Sequence, residues 1–155
     1  MGFVAQVTLR GALYLLIGIA AVPLRGRAVA VTPPAAATAR GYAAAVAAAE
    51  LRRSADDSTV APADRSIVMV HGRRTPRAFV LLHGFTDSPR QFEALGALLY
   101  ARGDNVYVPR LPHHAERRDA VAELARVRAA ELATFGDSAV DVAAGLGDSV
   151  VVIGL

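Results

Sequence analysis

Leu82-His83-Gly84-Phe85-Thr86, directly after the apolar run Ala78-Phe79-Val80-Leu81, is the stretch of this chain best suited to chemistry. A strand that ends in His-Gly at a tight turn leaves the next backbone N–H, that of Phe85, in the mouth of a sheet. A donor there can meet an oxygen that gains negative charge during a reaction. The second informative stretch is Val150-Val151-Val152-Ile153-Gly154-Leu155, which reads as a buried strand delivering a glycine. A nucleophilic serine is the residue expected next, and the sequence ends before one.

Other chemistries find less support. There is no cysteine, hence no thiolate nucleophile, disulfide framework or Cys-based zinc site. His71, His83, His113 and His114 lack the HExxH-like spacing that sets two imidazoles on one helix face, so no metal is expected. The turn His83-Gly84-Phe85-Thr86-Asp87-Ser88-Pro89 has no Gly-x-Gly-x-x-Gly, which places a nucleotide-binding domain last among the readings, and no cofactor is expected. Three echoes of catalytic words are discounted. His71-Gly72 leads into Arg73-Arg74, a charged hairpin turn, while Gly136-Asp137-Ser138 and Gly147-Asp148-Ser149 fall within a helical pattern and just before a strand.

The elements that must position these residues follow from periodicity. Ile67–Val70 and Ala78–Leu82 read as β-runs joined by Gly72–Pro76 into a hairpin at a sheet edge. Ser88-Pro89-Arg90-Gln91 opens a helix with an N-cap hydroxyl, a proline at the first helical position and a glutamine three residues on. Phe92, Leu95 and Leu99 share its inner face and Gly103 ends it. Asn105–Pro109 is the next strand. Val121 to Leu146 then carries one long helical stripe (Val121, Leu124, Leu132, Phe135, Ala139, Val142, Leu146), with Gly136 as an interruption, before a strand over Val150–Ile153 of the kind covered on both faces. Strand-helix-strand-helix-strand in this order implies an α/β fold with a mostly parallel sheet.

Composition bounds the rest. At 155 residues and 54% hydrophobic content the chain has room for one core. Arg10, Arg25 and Arg27 stand in residues 1–34 without any acid, whereas 14 arginines balance 14 acids in residues 35–155, so the net +3 belongs to the N-terminal segment. A folded region of zero formal charge offers no footprint for a phosphate backbone, and nucleic acid is not an expected partner. Residues 3–24, with the uncharged stretch Gly11–Leu24, read as an export segment that directs the rest to the extracytoplasmic side. Its core is shorter than the roughly 20 residues of a full span, and Ala28-Val29-Ala30 suits a signal peptidase. A cleaved signal over 1–30 and a retained membrane anchor remain equally open. Val31-Thr32-Pro33-Pro34 begins a linker, and Ala43–Arg53 a packing helix outside the catalytic unit, together spanning 31–65.

From about Tyr42 to Leu155 the chain resembles the N-terminal half of an α/β-hydrolase of the bacterial carboxylesterase and lipase type. The resemblance is carried by His83-Gly84-Phe85-Thr86, Arg110-Leu111-Pro112-His113-His114 and Val152-Ile153-Gly154-Leu155, in that order, each at the end of an expected strand. It implies that 66–155 form a partial α/β-hydrolase fold acting on carboxylic esters, with Gly154-Leu155 opening Gly-x-Ser-x-Gly and the Ser, Asp or Glu, and His of a triad beyond Leu155. It makes the Phe85 N–H an oxyanion-hole donor, with His83, Gly84, Thr86, His113 and His114 on the substrate side. It implies a small-molecule ester as partner and an inactive chain when these residues stand alone. The competing reading is a non-catalytic, membrane-tethered α/β binding domain.

Overall fold

The computed structural model describes residues 41–56 and 59–155, all within the compact unit Val31–Leu155. The export segment 3–24 and the linker after Val31 lie outside the described residues. Among the described residues no helix is long and apolar enough to cross a membrane.

A four-stranded sheet of order β1-β3-β2-β4 forms the centre. Its strands are β1 (Ile67–Met69), β2 (Thr75–Leu82), β3 (Asn105–Val108) and β4 (Gly147–Gly154). β2 runs parallel to both β3 and β4, and β1 is antiparallel to β3. This is the expected α/β architecture with a mostly parallel sheet, but the expected hairpin is absent. β1 does stand at the edge, yet its partner is β3, which lies between β1 and β2. All four residues of β3 are buried, and a strand so apolar needs a neighbour on each side to satisfy its backbone. Gly72, at φ 73°, turns the chain past it.

Residue alternation assigns the two faces. Ala78, Val80 and Tyr107 meet Ala139, Val142 and Leu146 of α4 (Ala129–Leu146) and Ala45 and Ala49 of α1 (Tyr42–Ala55). Phe79, Leu81, Val106 and Val108 meet Phe92 and, from α2 (Glu93–Ala101), Leu95 and Leu99. Burying one such Val, Leu or Phe side chain is worth about 1.5–3 kcal/mol, so the two faces together hold the layers on the sheet. The alanine-rich helix, expected outside the catalytic unit, is thus built into the same core, because its small side chains let α1 lie close to α4.

Two helical expectations change. The long stripe divides into α3 (Ala120–Leu124) and α4, and Gly136 lies inside α4 without breaking it. Val121 is exposed, while Phe135, Ala139, Val142 and Leu146 are buried. The Ser88 signals open a 3₁₀ turn, Pro89–Phe92, without a side-chain cap. Ser88 Oγ instead donates to Asp64 Oδ1 at 2.8 Å.

The end of the sheet where β2 begins is tied by polar side chains. Buried Asn105 donates from Nδ2 to Leu146 O and Arg73 O, both at 2.8 Å, and accepts the His71 N–H at 2.8 Å. The Arg74 guanidinium caps the end of α4 by donating to Ala144 O, Gly145 O and Gly147 O. His71 stacks on Tyr100 with centroids 4.1 Å apart, so its His-Gly pair serves this end of the sheet.

Candidate active site

The parallel strands β2, β3 and β4 send their C-terminal ends to one edge, the edge at which open α/β sheets bind ligands. Three stretches meet there: residues 83–88 after β2, residues 109–116 after β3, and the end of β4. The last is held in register by Leu82 opposite Gly154 and by Leu155 N–H donating to Leu82 O at 3.2 Å.

The loop after β2 is a β-turn closed by Asp87 N–H donating to Gly84 O at 3.0 Å. Phe85 and Thr86 are its central residues. The Phe85 N–H takes no part in the closing bond and has no hydrogen-bond partner among the described residues. It is therefore free to serve a ligand. Gly84 N–H is taken by Gln91 Oε1 at 2.8 Å, which is what this glutamine does in place of completing a helix cap. A Cβ at Gly84 would meet only the Gln91 amide, at 3.6 and 3.8 Å. The protein's own packing thus leaves room for a side chain at this glycine.

His83 is 2% exposed and acts as a clamp. Leu111 N–H donates to its Nε2 at 3.1 Å, so that nitrogen carries a lone pair and Nδ1 carries the proton, donated to Gly84 O at 3.0 Å. Burial lowers its pKa, against the opposing pull of the Gly84 carbonyl. With both nitrogens engaged, His83 joins the two loops and has no free lone pair for a substrate proton.

His113 and His114 part company although they are adjacent. His113, at φ 63°, turns to the helices, with Nδ1 3.2 Å from Glu123 Oε2 and Nε2 3.2 Å from Glu131 Oε1. The Glu123 carboxyl is held below its ordinary pKa by Arg126 first and His113 second. His114 turns inward, edge-on to His83 at 5.4 Å and to Phe85 at 5.2 Å. Its Nδ1 lies 2.7 Å from Pro112 O, and its Nε2 is buried without a partner. Thr86 and His114 share a cleft of ≈ 280 Å³ with Asp64, Asp87, Ser88 and Leu124.

Sequence reasoning named Arg110 only as the first residue of a motif and missed the network through which it fixes this loop. Arg110 donates from Nη1 to His114 O at 2.6 Å and to Glu116 Oε1 at 3.1 Å, and from Nε to buried Asp56 at 2.7 Å. Asp56 also accepts the N–H and hydroxyl of Ser66, whose Oγ in turn accepts Arg110 N–H at 2.9 Å. This network holds His113 and Ala115 at positive φ, a conformation that costs a non-glycine residue roughly 1–3 kcal/mol and gathers at functional sites. Asp56 and Arg110 are 54 positions apart, and the local pattern at Asp56 reads only as the stop of a helix.

No protein-family model matches this chain, and no curated protein matches it. Among solved structures, one reported with LipS and LipT, two metagenome-derived lipolytic enzymes, is similar to it at 25% identity and a TM-score of 0.46, over 62% of this chain and 37% of that one. The chain thus spans little more than a third of the length of that lipolytic structure.

Proposed function

We propose that this chain supplies the first half of a serine hydrolase site that transfers the acyl group of a carboxylic ester to water. The observation that carries the reading is the unengaged Phe85 N–H at the C-terminal edge of the sheet, in a loop clamped by His83 and Gln91. Attack of a serine alkoxide on an ester carbonyl breaks the C=O π bond and leaves the negative charge on that oxygen. A preorganised N–H stabilises this charge without having to reorient during the reaction. The His83 and Gln91 bonds supply that preorganisation. Among the described residues no serine hydroxyl is hydrogen-bonded to a histidine ring; Ser66 and Ser88 are bound to Asp56 and Asp64. The reading therefore takes its nucleophile from the position after Leu155 and its base and orienting acid from later residues.

The test begins with the coding frame beyond the Leu155 codon, where Ser-x-Gly is expected, with Asp or Glu and then His further on. The protein carrying that continuation should hydrolyse p-nitrophenyl butyrate. Phe85→Pro deletes the donor at a turn position that accepts proline, and should lower kcat by about 10²–10³ with the circular dichroism spectrum retained. A frame without the serine, or a protein that fails to hydrolyse the ester, favours the non-catalytic binding domain; a kcat untouched by the substitution removes Phe85 as the oxyanion donor.

A further inference from the structure

We propose that the cleft beside Phe85 takes an uncharged, hydroxyl-bearing group, with His114 Nε2 as the acceptor of that hydroxyl; on the acyl-transfer reading, the group is the alcohol side of the ester. Three observations carry this. His114 is fully buried, lines the cleft, and has an Nε2 without any hydrogen-bond partner among the described residues. Its Nδ1 faces the Pro112 carbonyl at 2.7 Å, and an acceptor there requires the proton on Nδ1, which leaves Nε2 of the neutral ring as a bare lone pair. A buried acceptor left unmatched costs about 1–3 kcal/mol, which a ligand hydroxyl would recover.

The other polar groups of the cleft set the charge of the ligand. Asp64 and Asp87 each use one oxygen, on Ser88 Oγ and Ser88 N–H respectively, both at 2.8 Å. Their second oxygens add acceptors and negative charge. Apart from His114 no basic side chain lines the cleft, so a carboxylate or phosphate would face the two aspartates without a cationic side chain to pair it. A neutral polyol offers what this wall lacks, donors without charge. Thr86, whose hydroxyl can donate or accept, and the apolar Leu124 complete a surface that fits a small alcohol.

The inference can be read on the 155-residue chain itself, without turnover. With 15N-labelled histidines at neutral pH, glycerol should move the His114 Nε2 resonance in the direction of a ring nitrogen that accepts a hydrogen bond, while the His83 signals, already engaged, stay in place. 1,2-Dimethoxyethane, which cannot donate, and acetate should leave His114 unmoved. In Asp64→Asn/Asp87→Asn, acetate should gain binding. A His114 signal indifferent to glycerol, or moved equally by dimethoxyethane, overturns the inference even where Phe85-dependent ester hydrolysis is found. A glycerol response in a protein whose frame lacks the serine keeps the hydroxyl site and removes the ester reading.

Discussion

His83 carries its proton on Nδ1 because Leu111 needs the lone pair on Nε2, and this has a consequence for stability. Burial lowers its pKa from 6.5, so near that pH the unfolded chain binds a proton that the folded chain refuses. The contribution is fully present above pH 6.5 and is lost as pH falls through the lower folded value. The urea midpoint should therefore drop between about pH 7.5 and pH 5, more steeply in wild type than in His83→Gln. Equal slopes would mean that the imidazole is not the titrating group. Arg110 makes a second case at this scale. Truncating it to Ala strands the buried Asp56 charge and should cost about 3–5 kcal/mol by urea unfolding, with much of the loss recovered in an Asp56→Leu/Arg110→Met pair. His83 was legible in the sequence because a strand end and a glycine flank it. The opposite fates of His113 and His114 were not, since a positive φ set by Arg110 turns one ring outward to Glu123 and the other in.

At the scale of elements, the passage from α4 directly into β4 depends on Gly147. A Cβ there would lie 2.5 Å from Ala78 N and 2.8 Å from Arg77 C, both backbone atoms of β2 that cannot swing aside. Gly147→Ala should lower stability by about 1–3 kcal/mol, seen as a lower melting temperature, and should loosen β4 from β2. Wild-type stability in that variant would show that the two strands can separate locally without loss. Strand runs and the inner face of α2 were readable from apolar spacing alone. The long stripe from Val121 was misleading because spacing cannot register the break at Ala125–Arg128. The sequence Ser88-Pro89-Arg90-Gln91 carries the letters of a helix cap, but Asp64 and Gly84 compete for the Ser88 and Gln91 side chains and win them.

For the molecule as a whole, the longer of the sheet's two edge strands is β4, with the three-residue β1 at the other edge. The inner edge of β4 pairs with β2 along most of its length, but its outer edge has no partner strand among the described residues, and Val152 is 49% exposed. On its faces β4 is partly buried, Val150 packing against one core layer and Val151 and Ile153 against the other, so the expected cover on both faces is incomplete. A long apolar edge with unpaired N–H and C=O groups invites association. Sedimentation should show concentration-dependent self-association of the 155-residue chain, reduced by Val152→Lys at a change in folding free energy within about 0.5 kcal/mol. Association unaffected by that charge would place the contact elsewhere.

The sequence by itself determined the α/β class, the strand ends and the loop in which Phe85 sits, because apolar period and turn residues are local signals that survive in a linear string. The tertiary structure alone decided that β3 separates β1 from β2, that α1 belongs to the core, and that Asp56, Arg110 and Gln91 hold the site. Each of those depends on partners distant in sequence or on competition for one hydrogen bond, and the winner is fixed only when the whole chain packs.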